Sequence, residues 1–205
     1  MLETAAQEIA QNLKDAVADR GSASFIVSGG SSPLPIFDAL VDMNLPWNKI
    51  IISLVDDRLV ADDDAASNVK LVHERLWVGK AAKATFISLK EMDTNASQIA
   101  RPFDVMLLGM GTDGHFASLF PEMPDPKIAY GLDAKPQLIR TPPRGNPLLE
   151  RVSMNLSMIL DSRHLYLMVA GAEKQSVFDR AHTDTSLPIH HLITQKQTTL
   201  HILKG

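Results

Sequence analysis

Cysteine is absent from this chain. That absence excludes disulfides, cysteine-ligated zinc, thiol nucleophiles and thiol redox chemistry, though it says little about compartment. An excess of positive charge is absent too: 20 Lys and Arg stand against 24 Asp and Glu, a formal charge of −4. General nucleic-acid binding calls for a basic surface, so no nucleic-acid partner is expected. An anionic small molecule stays open, because a local cluster of cations and backbone N–H groups can hold phosphate on an acidic protein. No run approaches 18 consecutive apolar residues, so neither a membrane span nor a membrane partner is expected. Met1-Leu2-Glu3-Thr4 offers no basic stretch leading into an apolar run, and no signal peptide is expected.

What is present is ordinary globular composition, 45% hydrophobic and 21% charged over 205 residues. A domain of this length buries roughly 70% of its unfolded surface and folds without a metal or a disulfide. The expectation is one cytoplasmic domain over residues 1–205, a monomer or small homo-oligomer.

Helix and strand patterns alternate. Residues 2–19 place Leu2, Ala5, Ala6, Ile9, Leu13, Ala16 and Val17 on one helical face, and Gly21 stops the helix. A short apolar strand at 23–27 follows, then a helix at 33–43, a strand at 49–55, a helix at 66–77 and a strand at 85–87. A short helix at 93–100 precedes the strand 103–108. Residues 121–150 hold more than half of the twelve prolines and read as a long irregular excursion. A strand at 151–154, a helix at 155–160, a strand at 164–170, a helix at 172–182 and a strand at 198–203 complete the pattern. The continuous apolarity of 50–55, 103–108 and 165–170 suits strands covered on both faces. The fold class expected is therefore α/β, a mostly parallel sheet with helices on both faces. Ligands of such sheets gather at the carboxyl ends of the strands, so the loops there matter most.

Three of those loops carry chemistry. Ser28-Gly29-Gly30-Ser31-Ser32-Pro33 joins a strand to a helix. Its glycines allow tight turning and close approach to a ligand, while Ser32 suits a helix N-cap and Pro33 the first helical position. Free N–H groups with two hydroxyls would suit phosphate, and the competing account is a plain capped turn. No Gly-Lys-Ser/Thr follows, so this is not a nucleotide P-loop. Asp56-Asp57-Arg58 follows the strand 49–55: a carboxylate there suits acid/base or orienting work, and Arg58 offers a planar fork for an anion. Asp62-Asp63-Asp64 reads as a solvated acidic loop, and no metal site is expected because nothing fixes a ligand spacing. Gly109-Met110-Gly111-Thr112-Asp113-Gly114-His115 satisfies G-x-G-x-x-G, with Asp133 about 20 residues on. The helix a dinucleotide loop needs is cut short at Pro121, which favours a glycine loop presenting His115, with Asp113 able to orient it.

Other candidates are weaker. His73 lacks the second histidine of a zinc-protease helix, His190-His191 reads as a surface pair, and His164 and His201 as structural. Ser118 has no G-x-S-x-G around it. Met106, Met154 and Met168 read as core.

The ordered set of loops resembles the 6-phosphogluconolactonase family. The resemblance rests on residues 28–33, on Asp56-Asp57-Arg58-Leu59-Val60 with Ser67-Asn68, and on Phe103-Asp104 through Gly109-Met110-Gly111-Thr112-Asp113-Gly114-His115-Phe116-Ala117-Ser118-Leu119-Phe120-Pro121. Arg151-Val152-Ser153-Met154 and Gly171-Ala172-Glu173-Lys174 match later, weaker motifs. The wider superfamily includes glucosamine-6-phosphate deaminase; Arg58 and Ala117-Ser118-Leu119-Phe120-Pro121 are similar to the lactonase rather than the deaminase. The resemblance implies a Rossmann-like α/β fold and cofactor-free hydrolysis of 6-phospho-D-glucono-1,5-lactone in the pentose phosphate pathway. It implies His115 as general base and Asp56 as orienting water, His115 or sugar hydroxyls. Gly29, Gly30, Ser31, Ser32, Arg58, Arg151 and Lys174 would hold the phosphate, and Gly109, Gly111, Asp113 and Gly114 would support the site. Deaminase chemistry and a non-catalytic sugar-phosphate sensor are the alternatives. Departures are Ser32 for the usual Thr, Asp57 for the usual Glu, and divergent stretches at Leu187-Pro188-Ile189-His190 and Thr199-Leu200-His201-Ile202-Leu203.

Overall fold

A computed structural model describes residues 2–92 and 99–205. Six strands form an all-parallel sheet: β1 (Ala23–Val27), β2 (Ile50–Leu54), β4 (Thr85–Ile87), β5 (Phe103–Gly109), β8 (Ser162–Val169) and β9 (Leu200–Lys204), in the spatial order β4-β2-β1-β5-β8-β9. Among the described residues eight α-helices lie between and beside them: α1 (Leu2–Arg20), α2 (Leu34–Leu40), α3 (Asn68–Arg75), α4 (Leu89–Met92), α5 (Pro126–Tyr130), α6 (Leu156–Leu160), α7 (Ala172–Arg180) and α8 (Pro188–Thr194). Every residue of β1 is buried, as are the first six of β5, which confirms that both faces are covered. Each such Phe, Ile, Val or Leu contributes about 1.5–3 kcal/mol by leaving water.

Local rules explain the edges of these elements. The face of α1 expected from its periodicity, Ala5, Ala6, Ile9, Leu13 and Ala16, is buried, and the helix packs on β1, β5 and α2. Gly21 closes it in the left-handed conformation (φ 81°), with its N–H on the carbonyl of Val17 at 2.9 Å. Ser67 caps α3 by accepting from the N–H of Val69. The helix expected at 93–100 lies outside the described residues apart from its last two positions, which are not helical.

A second, antiparallel sheet departs from expectation. It runs β3 (Asp56–Arg58), β7 (Leu149–Met154), β6 (Leu138–Arg144). The Asp56 segment is thus a strand rather than a loop, and 151–154 belongs to this sheet and not to the main one. The 121–150 excursion contains α5 and β6. Pro142 and Pro143 fall inside β6, where they are tolerated because β6 is an edge strand whose register shifts between Thr141 and Arg144. Val55 links the two sheets: its N–H donates to Val27 in β1 and its carbonyl accepts from Met154 in β7, both at 2.9 Å. A helix at α8 also escaped the sequence pattern.

At the amino-terminal end of the main sheet, Asp104 is buried and takes hydrogen bonds from Arg20 Nη2 (2.6 Å), the Ser24 N–H (2.8 Å) and the Ser24 hydroxyl (3.2 Å). This part of the family-like motif clamps α1, β1 and β5 far from the carboxyl edge.

Candidate active site

The strand order places β1 centrally, with β2 on one side and β5 on the other, so the loops leaving β1 and β5 diverge at a topological switch point. A cleft of about 230 Å³ opens there. Gly29, Gly30, Ser31 and Ser32 line one part, Asp56 and Arg58 a second, and Gly109, Gly111 and His115 a third. Arg151 and Lys174 reach it from β7 and α7. Asp113 and Gly114 do not line it; Asp113 reaches it only through its bond to His115.

In the first loop the Ser28 N–H is spent on the Leu107 carbonyl, but the N–H groups of Gly29, Gly30, Ser31 and Ser32 donate to nothing among the described residues. Ser32 does not cap α2 as expected. Pro33 occupies the N-cap, and the Ser32 hydroxyl instead accepts a 2.7 Å hydrogen bond from Lys174 Nζ. Burial pushes the Lys174 ammonium below the ordinary lysine range, with Glu173 opposing that shift. Gly30 holds φ at 81°, and a Cβ on Gly29 would overlap the Asn68 carboxamide, so both glycines are required by geometry. The Ser28 hydroxyl also lines the cleft and is buried without a partner.

Arg58 and Arg151 are direct cross-strand partners in β3 and β7. Arg58 Nη1 donates to Asn68 Oδ1 (2.7 Å) and to the Ala66 carbonyl (2.9 Å), while its buried Nε is unpartnered. Arg151 is more committed. Its guanidinium bonds the carbonyls of Arg144 (3.2 Å) and Pro147 (3.1 Å) and lies 5.2 Å from the centre of the Phe120 ring. Burial, then the charge of Arg58, lowers the Arg151 pKa. Its bonds fix the β6–β7 turn, and that turn brings Asn146 to the cleft rim.

Asp56 and Asp57 divide their tasks. Asp57 is fully buried and accepts from the N–H groups of Asn68 (2.7 Å) and Arg58 (2.8 Å). Burial raises its pKa despite those two bonds. Asp56 lines the cleft; its Oδ2 accepts from the Ser118 hydroxyl at 2.5 Å, and its carbonyl accepts from Asn68 Nδ2 at 2.8 Å. The imidazole of His115 is not bonded to Asp56. Its Nδ1 meets Asp113 Oδ1 at 2.5 Å, and its ring lies 4.5 Å from that of Phe120. Burial acts to raise the Asp113 carboxyl, but the hydrogen bonds and charge of His115 outweigh it and hold the carboxyl below its ordinary value. An ionised Asp113 fixes the proton on Nδ1, so Nε2 keeps its lone pair and can accept a proton.

The glycine loop is not a dinucleotide site. No helix follows it before Pro121; it folds back through bridges joining Met110 to Phe116 and Phe116 to Leu119. The Gly111 N–H is used on the His115 carbonyl at 2.8 Å and cannot serve an oxyanion, and a side chain at Gly111 would overlap the His115 ring. Among the described residues no group of three potential ligands could hold a metal, and no helix is long and apolar enough to cross a membrane. His190 and His191 are half-buried rather than superficial: His190 Nδ1 meets the Ala181 carbonyl, and His191 stacks on Tyr130. His73 packs between Trp77 and Phe86. Met106, Met154 and Met168 are core, as expected.

Sequence reasoning passed over Asn68, Asn146 and Ser28 as site residues. Ser67-Asn68 was visible as a motif, but nothing in the sequence shows that both ends of the Asn68 amide serve Asp56 and Arg58. Asn146 sits in a proline-rich stretch with no signal of its own.

Residues 1–202 match the family model described as glucosamine-6-phosphate isomerases/6-phosphogluconolactonase. The chain is 36% identical to a 6-phosphogluconolactonase of Caulobacter vibrioides, with 99% of this chain and 92% of the relative covered. It is 37% identical to one from Neisseria meningitidis serogroup A, covering 96% and 94%. A crystal structure of a 6-phosphogluconolactonase from Shewanella baltica superposes with a TM-score of 0.90 at 36% identity, covering 99% of this chain and 92% of that one.

Proposed function

Because this chain belongs to the glucosamine-6-phosphate isomerase/6-phosphogluconolactonase family, we propose that it hydrolyses 6-phospho-D-glucono-1,5-lactone to 6-phosphogluconate, a step of the pentose phosphate pathway. The observation that carries the reading is a single cleft holding both halves of the required chemistry. One half is His115 backed by Asp113; the other is four free backbone amides with Lys174 beside them.

The substrate phosphate would lie over Gly29, Gly30, Ser31 and Ser32, neutralised by Lys174 and by Arg58, both of which line the cleft. Arg151 serves the site mainly by fixing the β6–β7 turn. His115 Nε2 removes a proton from water as that water attacks the lactone carbonyl. The resulting imidazolium returns the proton to the ring oxygen as the C–O bond breaks, so the base is regenerated. Asp56 orients the attacking water or the sugar hydroxyls. Gly109, Gly111 and Gly114 shape the loop that carries the base. No cofactor or metal enters this scheme. The enzyme would act in the cytoplasm on a free metabolite, without nucleic acid, as a monomer or small homo-oligomer.

The test is turnover by purified protein of freshly generated 6-phosphogluconolactone and, separately, of glucosamine 6-phosphate. Acceleration of the first alone supports the reading. Ammonia release from the second would make the chain a deaminase, and binding without turnover would make it a sensor.

A further inference from the structure

Ser118 has no place in the reaction as described, yet it is fully buried and hydrogen-bonded at both its hydroxyl and its amide. It does not line the cleft, so it is no nucleophile. Its hydroxyl donates to Asp56 Oδ2 at 2.5 Å. Its backbone N–H donates to Ser153 Oγ at 3.2 Å, and the Ser153 hydroxyl donates in turn to the Met154 carbonyl at 3.0 Å. Ser153 stands directly opposite Asp56 in the β3–β7 ladder. A buried chain of bonds therefore runs from β7 through Ser118 to Asp56, the one carboxylate among the described residues that lines the cleft.

Two further details give this chain a direction. Asp56 Oδ1 has no protein partner among the described residues, so the oxygen Ser118 does not hold is the one left for a ligand. Ala117 adopts φ 49°, a left-handed conformation uncommon for a residue with a Cβ. This turn separates His115, which lines the cleft, from Ser118, which faces the interior. One short loop thus carries the general base and, three residues later, the group that fixes the carboxylate.

The geometry points to Ser118 as a positioning residue for lactone hydrolysis: it pins one oxygen of Asp56 so that the other is presented to water or sugar hydroxyls. This rests on the reading above that the cleft hydrolyses the lactone. The test is a double-mutant cycle of Ser118→Ala and Asp56→Asn, with kcat and KM measured on fresh lactone. Ser118→Ala is expected to lower kcat about ten-fold with KM changed less than about two-fold. In the Asp56→Asn background the same change is expected to cost less than about two-fold, because the group it positions has already lost its charge. Unchanged kcat, or losses that multiply in the double variant, would overturn the proposal. Should Ser118→Ala fail to fold, Ser153→Ala, which removes the acceptor for the Ser118 amide, runs through the same cycle with the same expected pattern. Crystal structures of the serine variants decide the matter without turnover: a rotated Asp56 carboxylate supports positioning and an unmoved one rejects it. A wild-type protein inactive on the lactone would overturn the functional reading, while those structures would still judge the role of Ser118.

Discussion

Lys174 Nζ lies 2.7 Å from Ser32 Oγ, a hydrogen bond that joins the first turn of α7 to the loop after β1 across 142 positions of sequence. It brings a cation to the row of free amides, while Pro33 takes the N-cap of α2 in place of Ser32.

Lys174→Met is expected to raise KM for the lactone by about 10- to 100-fold, the range for losing a charge-assisted contact of ~1.5–3 kcal/mol, with kcat changed far less. Steady-state kinetics checks it; an unchanged KM would remove Lys174 from the phosphate site. The same residue predicts a pH dependence. Because burial depresses its pKa below 10.5, the cationic form is lost earlier on raising pH than for an ordinary lysine. As pH is raised, affinity for 6-phosphogluconate, measured by calorimetry, should fall at a pH below the ordinary lysine range, and Lys174→Met should abolish that fall.

His115→Ala is expected to lower kcat by about 10²–10⁴-fold while leaving the affinity for inorganic phosphate nearly intact. Asp113→Asn should lower kcat by a smaller factor, because it loosens the tautomer rather than deleting the base. Near-normal turnover by His115→Ala would end its assignment as base.

Gly29→Ala places a methyl group on the Asn68 carboxamide, the group that holds both the Asp56 carbonyl and Arg58. We expect lost phosphate affinity and a lower Tm together. Gly21→Ala, where a Cβ meets nothing but φ is 81°, should lower Tm alone. Paired melting and phosphate titrations distinguish the two.

Asp57 allows a test of linkage. Its folded pKa is raised, so the stability it contributes is fully present below the unfolded value near 3.8 and is lost as pH rises through the folded pKa. Asp57→Asn keeps an oxygen to accept from the Arg58 and Asn68 amides and removes the buried charge. Its Tm relative to wild type should be highest at neutral pH, and the difference should shrink on acidification. A variant less stable at pH 7 would show that the ionised carboxylate is needed there.

Strands buried on both faces are legible because each is an unbroken apolar run between turn residues, and β1, β5 and β8 appear where such runs stand. The three chemical loops are legible for a related reason: glycine, serine and aspartate at strand ends have few other uses. The second sheet is not legible. Asp56-Asp57-Arg58 has a strand's geometry only because β7 lies beside it, and β6 carries two prolines that mark an interior strand as improbable but leave an edge strand allowed. The role of Ser118 is invisible for the same kind of reason, since its partner Asp56 lies 62 positions away, and Asn68 shows as a motif without showing what its amide holds. The pairing of His115 with Asp113 was readable because only two positions separate them.

Val55 spends its N–H on β1 and its carbonyl on β7. It is a rivet between the wall bearing the β1 loop and the wall bearing Asp56, Arg58 and Arg151. The walls of the cleft therefore stand at a fixed spacing before any ligand arrives. Such a catalyst spends little of its ligand's binding energy on assembling itself, so most of that energy remains for holding the lactone in line with water.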